Sequence, residues 1–119
     1  MTKETDQELL ELAAKAAGID LDWDVPPKSP PWRMTGEGED RGPASQWNPL
    51  TDDGDALRLA VKLGLQIMFG YDRNGNVCSA YSEDDGFDYE RIEDNNGDPF
   101  ATTRRTIVRA AAEIGKSML

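Results

Sequence analysis

The chain predicts an α+β fold, a small antiparallel three-stranded sheet with about three helices packed on it in the order α-α-β-β-β-α. Three observations carry that expectation. Three stretches repeat apolar residues at helical spacing between recognisable caps. One stretch alternates apolar and polar residues on both sides of Asn74-Gly75. Prolines and glycines interrupt the chain between them. Residues 1–119 are expected to form a single α+β domain with a Pro/Gly-rich loop at 24–46.

Thr5 and Glu8 have the Ser/Thr-x-x-Glu spacing with which side chains satisfy free amides at a helix start. Leu9, Leu12, Ala13 and Ala16 then share one face, with Leu10, Ala14 and Ala17 beside it. Gly18 supplies the stop and Ile19 the apolar contact after it. So many alanines predict close approach to another helix or to a sheet.

Residues 24–43 hold five of the seven prolines and three glycines, which predicts a long loop, extended at its start. Trp23 and Trp32 flank its proline-rich part and are placed to pin it to the body. Trp47 is expected in the core.

A second helix starts at Thr51 or Asp52, with Asp52, Asp53 and Asp55 in the turn where the helix dipole favours acids. Leu57, Ala60, Val61 and Gly64 line one side, Ala56, Leu59 and Leu63 the next, and Gly64 ends it. Leu65, Ile67, Phe69 and Tyr71 then alternate with Gln66, Met68 and Gly70, the period of a strand. After the turn, Val77, Ser79 and Tyr81 make one face of the return strand, and Cys78 and Ala80 the other. Residues 87–92 make a third strand, whose alternating acids predict a solvated face. The last helix opens at Asp98 with Pro99 at its first position. It carries Phe100, Ile107, Ala111, Ile114 and Met118 on one face.

The net charge is −10 and unevenly spread: residues 51–98 carry −8, residues 99–119 carry +3. A body this acidic is poorly suited to coat nucleic acid or an anionic membrane, and well suited to a basic partner. The absence of histidine removes Ser-His-Asp and Cys-His catalysis and His-ligated zinc. The single cysteine, Cys78, and the polar N-terminal stretch point to a reducing, cytoplasmic setting without a leader or membrane span.

Asp72, Asn74, Asn76 and Glu83 match part of an EF-hand loop, but Val77 stands where that loop needs glycine and the flanks read as strands. No metal or cofactor is expected. The acids Glu83, Asp84, Asp85, Asp88 and Glu90 lie in the densest charge run, which reads either as a solvated rim or as a surface for a basic partner. Trp32 with Arg33 is the best exposed anchor for such a partner. Arg104, Arg105 and Arg109 form the one basic cluster, read either as pairing with the acids or as an anion site. Catalytic residues are not expected.

The run 47–65, from Trp47-Asn48-Pro49-Leu50 through Asp52, Asp53 and Asp55 to Gly64, resembles a stretch in small accessory proteins of temperate tailed phages and prophages. The close of the chain, with Asp98-Pro99-Phe100, Arg104-Arg105 and Arg109-Ala110-Ala111-Ala112, is similar to the last helix of that group, and residues 8–18 to its first. The layout looks more distantly NinX-like. The resemblance covers roughly 8–23 and 47–115. It implies an accessory phage protein without established catalytic residues, acting in the host cytoplasm. The resulting expectation is a non-enzymatic binder or inhibitor of a host protein, such as a nucleic-acid-binding defence effector, in the manner of an anti-CRISPR or nucleic-acid mimic. The alternative is a small-ligand or nucleotide-signal sponge using the Arg-rich last helix. A homodimer through the Ala-rich first and third helices stays open.

Overall fold

The computed structural model describes residues 4–73, 75–83 and 86–118. Its elements are α1 (Asp6–Ala17), β1 (Leu21–Asp22), β2 (Trp32–Thr35), β3 (Gly42–Gln46), α2 (Asp53–Leu63), β4 (Gln66–Asp72), β5 (Gly75–Tyr81), β6 (Phe87–Arg91) and α3 (Pro99–Ser117). Short 3-10 turns occupy Gly38–Asp40 and Glu93–Asn95. The class is α+β, but the strands form two antiparallel sheets, β1-β2-β3 and β4-β5-β6, where one was expected.

The additional sheet lies largely inside the stretch read as a loop. Its prolines do not prevent pairing, because Pro26, Pro27, Pro30 and Pro31 sit in the connection between β1 and β2. Pro43 lies on β3, an edge strand, where a missing amide hydrogen is tolerated. β2 has only four residues and β3 is small and polar, so neither shows the alternation that betrays a strand.

The caps form as their spacing requires. Thr5 Oγ1 accepts from the Glu8 amide at 3.1 Å, and the Thr5 amide donates to Glu8 Oε1 at 3.2 Å. Asp52 accepts from the Asp55 amide at 2.8 Å, and Asp98 from those of Phe100 and Ala101. Gly18 ends α1 in the left-handed conformation that a helix stop favours.

α3 is the central element and packs on α1, α2, β5 and β6. The core joins Leu9, Leu10 and Ala13 of α1, Leu59 and Ala60 of α2, and Ile107, Val108 and Ala111 of α3, with Trp47 buried among them. Its amide donates to Pro31 O at 2.8 Å, tying the first sheet to the helices. A Cβ on Gly115 would strike the Leu12 backbone, so the small residues do bring α1 and α3 together. That packing is within one chain.

Two apolar faces differ from expectation. α2 buries Ala56, Leu59 and Ala60 and leaves Leu57 and Val61 exposed, because the core is met on its alanine side. Periodicity finds such a stripe but not its centre. Phe100 and Met118 lie at the two ends of α3, exposed, while Ile107, Ala111 and Ile114 between them are buried.

Candidate functional site

The third strand is turned opposite to expectation. Its register sets Asp88 beside Ala80 and Glu90 beside Cys78, both fully buried, so the two acids face α3. Phe87 and Tyr89 take the outer face and are exposed. Arg105 and Arg109, one turn apart on α3, supply the countercharge. Arg109 Nε lies 3.5 Å from Asp88 and 4.0 Å from Glu90. Arg105 lies 3.8 Å from Glu90 and 3.6 Å from Asp6.

Burial, and then the charge of Glu90, push the Asp88 carboxyl up to about 6 against the pull of Arg109. Among the described residues Asp88 Oδ2 and Arg109 Nε have no hydrogen-bond partner, so their contact is Coulombic without hydrogen-bond alignment. Beneath them burial pushes the pKa of the free Cys78 thiol up. This thiol is a buried core group without the electropositive, accessible setting of a reactive one.

Arg104 clips α3 to the start of α2, donating to Leu50 O at 2.9 Å and to Asp53 at 2.7 Å. All three arginines of the expected anion site are thus engaged with this chain. Of the remaining acidic run, Glu83 is exposed in the β5–β6 connection. Asp84 and Asp85 lie outside the described residues.

Trp32 is half-buried, and its indole N–H donates to Pro27 O at 3.0 Å, so it does hold the proline connection. Arg33 lines a cleft of about 560 Å³ between the end of α1, β2, β3 and α2. The β2–β3 register slips between Arg33 and Met34, which pair with Ser45 and Pro43 and leave Ala44 unpaired. The extra residue of this bulge is on β3, and Arg33 and Met34 of β2 both line the cavity.

The cleft floor is apolar, with Ile19, Met34, Trp47 and Leu59. Its two acids are occupied. Asp20 takes Arg41 at 2.7 Å, which holds its carboxyl below the usual range, and Asp55 takes Arg58 at 2.8 Å and the Asn48 amide at 3.0 Å. Arg33 and Lys62, on the same wall system, have no carboxylate partner among the described residues. Sequence reading named Arg33 but passed over Lys62, although Arg58 and Lys62 at i,i+4 mark a basic ridge on α2.

A second recess, of about 370 Å³, lies between α2, the start of α3 and β4 and is lined by Leu57, Ile67, Phe69, Phe100 and Ile107. β4 is the outer strand of its sheet, pairing with β5 alone. Leu57, Val61, Phe69, Tyr71 and Phe100 are all between 62% and 84% exposed. Met68 is exposed on the opposite face of β4. From the sequence these residues stand only as periodic positions of α2, β4 and α3, and nothing in that periodicity marks a contact surface.

Among the described residues no group of three or more Asp, Glu, Cys or His could hold a metal ion, and no helix is long and apolar enough to cross a membrane. Compared with protein-family models, curated proteins and solved structures, the chain matches none of them.

Proposed function

We propose that this protein is a non-enzymatic binding protein that docks on a second protein. This accords with the phage accessory role that the resemblance implies, inhibition of a host protein in the host cytoplasm. One observation carries the reading: β4 offers an unpaired edge and an apolar surface together. Its residues 66–71 bear no charge, so nothing on the strand itself repels an added strand.

Leu57, Phe69 and Phe100 line one recess, and with Val61 and Tyr71 of the same helix and strand their exposed parts amount to on the order of 700 Å², near one partner's share of a standard interface. Surfaces of that size mark interaction sites more often than accidents of packing. The partner this geometry fits presents an apolar strand with a basic rim, since the chain carries −10. The same charge disfavours a second copy of this chain. A host nucleic-acid-binding defence protein has the required basic character. The acids Asp88 and Glu90 contribute to such a surface only through the net field, because they face Arg105 and Arg109.

Affinity capture from host lysate, repeated with Phe69→Lys and with Glu83→Lys, tests the reading. The expected result is a defined partner retained by the wild type and by Glu83→Lys at lower yield, and lost by Phe69→Lys at unchanged melting temperature. Equal capture by Phe69→Lys, or sedimentation of the wild type alone as a dimer that Phe69→Lys dissociates, overturns it.

A further inference from the structure

The cleft beside β2 is independent of the β4 edge. We propose that it binds a small phosphate monoester with an aromatic body, the phosphate held by Arg33 and Lys62 and the ring laid on Ile19 and Met34. Among the described residues Arg41 pairs with Asp20, Arg58 with Asp55, Arg91 with Asp72, and Arg104, Arg105 and Arg109 as described, whereas Lys15, Lys28 and Arg73 meet no carboxylate and do not line this cavity. Arg33 and Lys62 lack such partners among the described residues and line the same cavity.

The chemistry of the walls narrows the ligand. A guanidinium fork and an ammonium together match the roughly −1.5 to −2 charge of a phosphate monoester at neutral pH. The neighbouring carboxylates Asp20 and Asp55 are paired but still negative, so they disfavour a polyanion such as a nucleic-acid strand. The cavity of about 560 Å³ lies within the range of small-molecule sites, and its apolar floor offers area to a ring but nothing to inorganic phosphate. Arg33 and Met34, consecutive on β2, bring a charged and an apolar contact to the same cavity.

Phenyl phosphate, adenosine monophosphate, benzoate and inorganic phosphate serve as probes, titrated into the full chain by calorimetry and followed by amide NMR. Either ester is expected to bind with a dissociation constant below about 1 mM, shifting Ile19, Met34, Ser45 and the Trp47 indole. Which ester binds tells a nucleotide from a simple aryl phosphate. Inorganic phosphate and benzoate are expected to bind about tenfold more weakly. The double variant Arg33→Gln, Lys62→Gln is expected to lose about tenfold or more in affinity at unchanged melting temperature. The proposal is overturned if neither ester binds near 1 mM, if benzoate binds as well as the esters, if shifts fall on β4, or if the double variant binds normally. Partner capture by β4 reads a different surface, so each proposal can fail without the other.

Discussion

Between β6 and α3, Asp88 and Glu90 meet Arg105 and Arg109, and each arginine lies within 4.0 Å of a carboxylate. In the cleft beside β2, Asp20 and Asp55 are likewise met by Arg41 and Arg58, yet Arg33 and Lys62 line the same cavity without an acid partner among the described residues. The cleft is the more exposed of the two, with the Asp20 and Arg58 side chains 50% and 73% exposed against 16% to 31% for the four groups between β6 and α3. The two regions also differ in whether the charges close on one another. Where they close, they fix α3 on the sheet and leave nothing for a ligand. Where two remain open, an external anion is the missing partner.

Removing one member of each group is the strongest way to break this contrast. Arg109→Met leaves Asp88 and Glu90 half-buried with Arg105 alone and is expected to destabilise by about 3 kcal/mol at pH 7 in urea titrations. A loss below about 1 kcal/mol would mean the paired group is no more structural than the cleft.

Asp88 offers a finer test through pH. Its folded carboxyl is pushed up to about 6 from an ordinary 3.8, so between those values the folded chain keeps a proton that the unfolded chain has released. That contribution is fully present below pH 3.8 and is lost as pH rises through about 6. Asp88→Asn, neutral throughout, is therefore expected to match the wild type near pH 4 and to exceed it by about 2 kcal/mol at pH 7. Thermal unfolding at the two pH values reads the difference. A variant less stable than wild type at pH 7 would show that the Arg109 contact outweighs burial. Asp20 behaves oppositely, because Arg41 holds its carboxyl below the usual range and its contribution fades as pH falls.

The smallest effect belongs to the open cations. Arg33→Gln and Lys62→Gln are each expected to change stability by no more than about 0.5 kcal/mol in the same urea titrations. A loss above about 1 kcal/mol in either would reveal a structural partner and weaken the cleft as a recognition site.

Much of the local structure was legible. The capping box at Thr5 and Glu8, the caps at Asp52 and Asp98 and the stops at Gly18 and Gly64 all stand where their spacing put them. The strands on either side of Asn74-Gly75 also pair as expected, Asp72 with Gly75 through Gln66 with Tyr81, although Asn74 itself lies outside the described residues. The first sheet was not legible, because β2 and β3 are too short and too polar to show a period and their stability comes from pairing and from Trp47.

The candidate sites divide in the same way. Trp32, expected either to pin the proline stretch or to stand out as an anchor, is half-buried with its N–H on Pro27, and the α3 arginines, open between pairing and an anion site, meet acids. The orientation of β6 was inverted. Alternation says that Asp88 and Glu90 share a face, and only the arginines across the interface decide that this face points inward.

By itself, then, the sequence determined where helices begin and end, where the second hairpin turns, and that the last helix bears its charges one turn apart. Those features rest on hydrogen bonds and spacings within a few residues. The tertiary structure decided which faces are buried, that β4 is left with an open edge, and which cations are paired. Such outcomes depend on partners far away in the chain, as between Arg41 and Asp20, 21 positions apart, or Arg104 and Asp53, 51 apart. A charge is closed or open according to what the fold brings to it, and no local pattern carries that information.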